Sequence, residues 1–228
     1  MAASYFSSDT FKFLADLAAN NERAWFEEHR QDYEDFVRGP ALAFIGDMSE
    51  DLAAISPHFV AAARPVGGSL MRIHRDVRFG HDKSPYKTNI GIQFRHELGK
   101  DVHAPGFYVH IEPESCFIGA GLWHPDAPAL GRIRDAIAAA PKAWLKARDD
   151  KGFCRRFALA GDSLSTAPRG YARDHPLLED LKRKDFIGLA DLDDADVLAK
   201  KFRRTVTENF AAARPFMAFL CGALELAF

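Results

Sequence analysis

The sequence predicts an α+β fold: a central, mostly antiparallel sheet of about 4–6 strands flanked by N-terminal and C-terminal helices. Three observations predict it. Apolar residues recur at helical spacing over residues 8–56 and again over 127–226. Between those blocks, over 65–123, the period switches to the apolar/polar alternation of half-buried strands. The links between the alternating runs are short, as an antiparallel meander requires. No internal repeat, low-complexity tract or linker divides the 228 residues, so residues 1–228 are read as a single α+β domain.

Each element has a local reason. Ser8 or Asp9 can cap a first helix, with Phe11, Leu14 and Leu17 along one face, and Asn20-Asn21 interrupts it. A second helix carries Trp25, Phe26, His29, Tyr33 and Phe36 at helical spacing. Gly39-Pro40 is expected to end it and to open a third, because proline is tolerated in a first turn; Leu42, Ile45, Met48 and Leu52 are that helix's buried stripe. In the middle, residues 89–95 and 107–112 alternate cleanly, while 69–75 and 115–122 are strands with weaker patterns. Helices return over 127–140 and 142–157. A turn-rich piece at 168–176 follows, then a short helix over 177–184. The last helix is capped by Asp193 or Asp194, ends near Leu226 and bends or breaks at Pro215.

Composition bounds the function. With 30 Lys+Arg against 32 Asp+Glu the net charge is -2, so the whole chain has no pull toward nucleic acid or membrane, and any such role needs a local patch. The 19 Phe, 5 Tyr and 3 Trp are too much aromatic mass to leave solvated, which excludes disorder as a general description. The start lacks the basic and apolar regions of a signal peptide, and no apolar run is long enough to span a bilayer. Cys116, Cys154 and Cys221 are an odd, widely spaced set without CxxC, against a disulfide framework or a cysteine zinc site. A cytoplasmic location is expected, with no membrane partner.

Side chains alternate across a strand, so each strand sorts its residues onto two faces. Met71, Ile73, Ile90, Ile92, Phe94, Phe107, Val109 and Ile111 should meet the helices. The opposite set is Arg72, His74, Asn89, Gly91, Gln93, Arg95, Tyr108, His110 and Glu112. Gly119 and Gly121 share a face with Phe117 and Trp123, and the sequence does not fix which face that is. A solvated face is usually built from Lys, Glu, Thr and Ser. One rich in Arg, His, Tyr and Asn suits recognition and proton transfer, so a groove with a glycine-cleared floor is favoured over a merely solvated surface.

Residues 72–87 are the most unusual segment. Arg72, Arg75, Arg78, Lys83 and Lys87 stand against Asp76 and Asp82, a local excess of three positive charges. Arginine offers a planar fork that matches carboxylate or phosphate, and a loop between strands is where binding groups are displayed. The competing reading is a salt-bridged connector in which Asp76 and Asp82 pair with their neighbours.

The sequence also resembles a known family. Residues 13–26 read Phe-Leu-x-x-Leu-x-x-Asn-Asn-x-Arg-x-Trp-Phe. Further on stand Arg72-Ile-x-Arg75-Asp76-x-Arg78-Phe79-x-x-Asp82-Lys83-x-Pro85-Tyr86-Lys87, then Pro105-Gly106-Phe107-Tyr108 with His110, and Gly119-x-Gly121-Leu122-Trp123. Last come Pro168-Arg169-Gly170-Tyr171 and Asp174-His175-Pro176, with Lys184. These motifs resemble the uncharacterised conserved family catalogued as domain of unknown function 2461. The resemblance implies a single α+β domain and brings no reaction or catalytic residue with it.

The favoured function is therefore recognition of a small anionic molecule, phosphorylated or carboxylated, with hydrolysis or group transfer as the matching chemistry. Arg72, Arg75, Arg78, Lys83 and Lys87 would supply charge, and Asp76 and Asp82 would hold the guanidinium groups. Tyr86, Tyr108 and His110 would donate or accept protons, with Glu112 tuning His110 and Trp123 contacting the ligand. No cofactor is predicted. A divalent metal held by His110, Glu112 and His124 is an alternative, against which stands the commoner exposed His–Glu pair. Nucleic-acid binding by the basic segment with Phe79, Tyr86 and Trp123 is another, and the acidic overall balance opposes it. A partner-binding module without chemistry would use Phe210, Phe216, Phe219 and Phe228, which serve equally as the domain's own core. There is no Walker phosphate loop, HExxH or nucleophile elbow. Oligomeric state is not legible.

Overall fold

The computed structural model describes residues 4–78, 83–99 and 104–228. In chain order it runs α1 (Ser8–Ala19), α2 (Arg23–Glu28), α3 (Arg30–Tyr33), a π-turn (Glu34–Arg38), α4 (Gly39–Ile55) and β1 (Phe59–Val60). Then come β2 (Ile90–His96), β3 (Gly106–Ile111), β4 (Cys116–Leu122), α5 (Ala127–Ala139), α6 (Pro141–Arg148), α7 (Lys151–Arg156) and β5 (Ala158–Ala160). The chain ends with α8 (Leu178–Leu181), β6 (Phe186–Leu192), α9 (Asp194–Leu198), α10 (Phe202–Ala212) and α11 (Arg214–Ala223). The strands form one antiparallel sheet of 6 in the order β1-β2-β3-β4-β6-β5. This is the expected α+β architecture with helices flanking a central antiparallel sheet.

Several boundaries differ from the sequence reading, each for a local reason. The side chain of Ser7, one residue earlier than expected, caps α1: its hydroxyl accepts from the Asp9 amide, and Thr10 Oγ1 accepts from the Ser7 amide. Gly39-Pro40 does not end a helix. The Gly39 amide bonds to Glu34 O in a π-turn, which absorbs the register change that a proline without an N–H forces on the following helix. A Cβ at residue 39 would lie 2.8 Å from Glu34 O, so this turn requires glycine. Residues 69–75 do not form a full strand; they touch β2 through the bridge Leu70↔Ile92 and pair with the segment ahead of β2 through His74↔Tyr86. The stretch read as helical from residue 127 onward contributes β5 and β6. The expected helix over 142–157 is broken by Asp150, whose carboxylate caps α7. The expected final helix is three helices, with Asp193 capping the first and breaks at Ala199 and at Ala213, just ahead of Pro215.

The core lies between one sheet face and the helices. Ile90, Ile92, Phe94, Phe107, Val109 and Ile111 are all buried, as the alternation predicts. Phe210 of α10 packs on Phe94 at 5.7 Å and on Phe107 at 4.6 Å between ring centroids. Phe216 and Phe219 of α11 flank Trp144; of the four C-terminal phenylalanines singled out as a partner surface, Phe210 and Phe216 are buried in this core, while Phe219 and Phe228 are partly buried and pack against it, Phe228 on Phe59. Each such ring removed from water contributes roughly 1.5–3 kcal/mol. The helices pack on this face, and the other face carries polar groups, glycines and a set of apolar side chains.

Candidate functional site

Pairing decides what the sequence alone left open. Gly91 opposes His110, which opposes Phe117. Gln93 opposes Tyr108, which opposes Gly119, and Gly119 opposes Leu189. Arg95 opposes Gly106, then Gly121, then Ile187. The glycines of β4 thus share the face of Tyr108 and His110. That face holds a groove of about 520 Å³ whose walls include Met71, Lys87, Tyr108, His110, Trp123 and Leu189.

Two of the glycines make the room. A Cβ at residue 91 would stand 2.8 Å from Tyr108 Oη and 2.9 Å from Met71 Sδ, so only glycine lets the phenol ring lie across β2. At residue 119 the nearest atoms to a Cβ are 3.5 and 3.6 Å away, in ordinary contact, and the backbone there is not left-handed. Neither strain nor crowding therefore demands glycine at 119. Its effect is an open floor.

Along one wall runs a row of hydrogen bonds. Thr88 Oγ1 donates to Glu112 Oε1 at 2.9 Å. Glu112 Oε2 lies 3.1 Å from His110 Nε2, and His110 Nδ1 lies 3.1 Å from Tyr108 Oη. An ionised carboxylate only accepts, so Nε2 carries the proton and the Nδ1 lone pair faces the phenol, which donates to it. The Asn89 amide points at the same Nδ1 from 3.4 Å, consistent with that tautomer. His110 is held flat against Phe117, with ring centroids 4.5 Å apart and planes 9° apart. Burial, with Glu112 adding to it, pushes the Tyr108 hydroxyl up to about 12, so it stays protonated at neutral pH.

The cations are distributed unevenly. Lys87 lines the groove, half-buried, and burial followed by the charges of Arg72 and Arg75 lowers its pKa. Arg78 clasps Asp76 through two bonds of 2.9 and 2.7 Å on the exposed surface and holds that carboxyl well below the usual range. Arg72, also exposed, is 3.9 Å from Asp76. Lys83 donates to Val77 O, and the Arg75 amide bonds to Pro85 O. Asp76 thus serves the salt-bridged connector, while Lys87 serves the groove. Asp82 lies outside the described residues. Tyr86 is buried, stacked on Phe26 at 4.1 Å, and is not part of the groove wall.

The metal alternative is not assembled. His124 follows the position opposite His110 by seven residues along β4, roughly 20 Å away at about 3.3 Å per residue. Its ring pairs with Asp185 at 2.9 Å and stacks beside Trp123. Among the described residues no three His, Cys, Asp or Glu side chains gather to hold an ion. Sequence reasoning missed Asp185, which is buried and accepts from the amides of His124 and Asp162, pinning the rim that carries Trp123. It also missed Ile187 and Leu189, because β6 itself was not recognised.

A family model described as Conserved hypothetical protein (DUF2461) matches residues 9–219. The chain belongs to this family. In this member of the family the matched span contains the whole groove. No curated protein and no solved structure matches the chain. Among the described residues no helix is long and apolar enough to cross a membrane.

Proposed function

We propose that the groove recognises a small anionic molecule with an apolar body, and that the Tyr108–His110–Glu112 row moves a proton at the bound ligand. The observation that carries this reading is a hydrogen-bonded Tyr–His–Glu row beside Lys87 in a groove whose other walls, Gln93 apart, are apolar, among them Met71, Phe117, Trp123, Ile187 and Leu189. A pocket with apolar walls and a few converging polar groups is the usual form of a small-molecule site. Lys87 supplies the charge for a carboxylate or phosphate. Glu112 holds the imidazole in one tautomer, so Nδ1 can take the Tyr108 proton while Tyr108 Oη takes one from a water attacking the ester or phosphoryl centre, and the same proton returns through Oη to the leaving oxygen as its bond to that centre breaks.

The test uses 1-naphthyl phosphate and 1-naphthyl acetate, with binding of the phosphate followed by calorimetry and turnover by released naphthol. The expected result is saturable binding of the phosphate that is lost in Lys87→Met, and naphthol release that is lost in Tyr108→Phe and His110→Gln. Absence of saturable binding, or binding that is the same in Lys87→Met, refutes the recognition site. Binding without naphthol release from either compound refutes the proton-transfer role.

A further inference from the structure

Beside the main groove lies a second hollow of about 280 Å³. The two share Met71 and Gln93 as walls, so they adjoin along β2. Arg72 and Arg95 line the second hollow together with Ser69, and no Asp or Glu is among its lining residues. Arg95 is half-buried on the groove face of β2 and makes no ion pair among the described residues. Lys87 likewise has none. A half-buried cation loses part of its hydration and, unpaired, gains nothing in return, so two of them facing one channel are explained by a ligand more readily than by the fold.

Their positions set the shape of that ligand. Lys87, just ahead of β2, and Arg95, near its end, stand eight residues apart along the chain, at most about 28 Å between backbones. Between them the channel is uncharged: Gln93 on β2, the phenol of Tyr108, and the Gly119 floor with Phe117 and Leu189. We infer that the groove and the second hollow together take a dianion, with one anionic group at Lys87, the other at Arg95 and Arg72, and an apolar spacer lying across Gly119. This rests on the reading of the main groove as an anion site and adds Arg95 as a second clamp. Carboxylate and phosphate share the chemistry that an arginine fork recognises.

The experiment compares α,ω-alkane dicarboxylates with monocarboxylates of the same chain length, and α,ω-alkane bisphosphates with the matching monophosphates, by calorimetry on the full chain. The inference expects a dianion to bind about tenfold or more tightly than its monoanion at one optimal length, since a hydrogen-bonded charge contributes on that scale. In Arg95→Met and in Lys87→Met alike the dianion keeps a single clamp, as the monoanion does, so the preference should fall to about one in each. Circular dichroism and melting of each variant separate a lost clamp from a lost fold, and Arg95→Lys, which keeps the charge without the fork, should restore part of the preference. Whichever series shows the preference assigns the anion. Equal binding of monoanion and dianion in both series overturns the second clamp and leaves the main-groove reading standing. Binding of no probe in either series overturns both.

Discussion

Gly119 and Gly121 stand two residues apart on one strand and face the same groove, yet they should respond oppositely to alanine. At Gly121 φ is +132°, and a Cβ would come 2.0 Å from Phe186 O and 3.0 Å from Ile187 Cα. Strained backbone costs about 1–3 kcal/mol and overpacking about 1–3 kcal/mol more. At Gly119 the added methyl meets only ordinary contacts, and replacing a strand glycine by alanine gains roughly 0.5–1 kcal/mol of backbone entropy. For a chain of this size each kcal/mol moves the melting temperature by about 2–4 °C. Gly119→Ala should therefore melt about 1–4 °C higher and Gly121→Ala at least about 4 °C lower, read by calorimetry or circular dichroism. Gly119→Leu, which fills the floor, should fold and yet weaken 1-naphthyl phosphate by about 5–150-fold, the equivalent of about 1–3 kcal/mol. The reasoning is refuted if Gly119→Ala destabilises as much as Gly121→Ala, because the bare position would then serve the fold. It is also refuted if Gly119→Leu folds and binds the probe unchanged.

Three further results should follow. Lys87 has a folded-state pKa below its unfolded value, so between those two values the unfolded chain holds more protons and stability rises with pH; at neutral pH the charged amine works against folding. Lys87→Met should thus melt at or above the temperature of the unsubstituted protein while losing probe binding. Binding to the unsubstituted protein should fade as pH climbs through a midpoint below the ordinary lysine value of about 10.4; a midpoint at or above that value would contradict the assignment. Asp185→Asn should lower the melting temperature by about 2–12 °C, because one of the amides of His124 and Asp162 then faces a donor and is left unpaired, at about 1–3 kcal/mol. An unchanged melting temperature would show that the rim is held by something else.

The parts of the fold that were legible in the sequence are those where one face is wet and the other dry. β2 and β3 alternate because Phe94 and Phe107 meet helices while Gln93 and Tyr108 face the groove. β6 was missed because its groove face, Ile187 and Leu189, is as apolar as its core face, Phe186 and Ala190, so no period of two survives. Residues 69–75 were overread: their composition suits a strand, but only two isolated bridges are made. At the site, the residue types were legible and their grouping was not. Tyr108, His110 and Glu112 follow directly from alternation along one strand. That Lys87 reaches the groove while Arg78 turns to Asp76 depends on how a loop is folded, which local pattern does not encode. The face of Gly119 depends on pairing with β3, a contact between strands.

Phe210 of α10 presses on the side of Phe94 and Phe107, opposite the groove, so the two surfaces of the sheet live under separate constraints. Gln93, Gly119, Ile187 and Leu189 line the channel on the face opposite the Phe94–Phe210–Phe107 cluster, so a substitution there acts first on what the channel admits. Such a scaffold can change its ligand by small steps and remain folded at every one of them. Within the family, divergence in specificity should therefore be written on these few outward positions of β2, β4 and β6, with the inward positions held nearly constant.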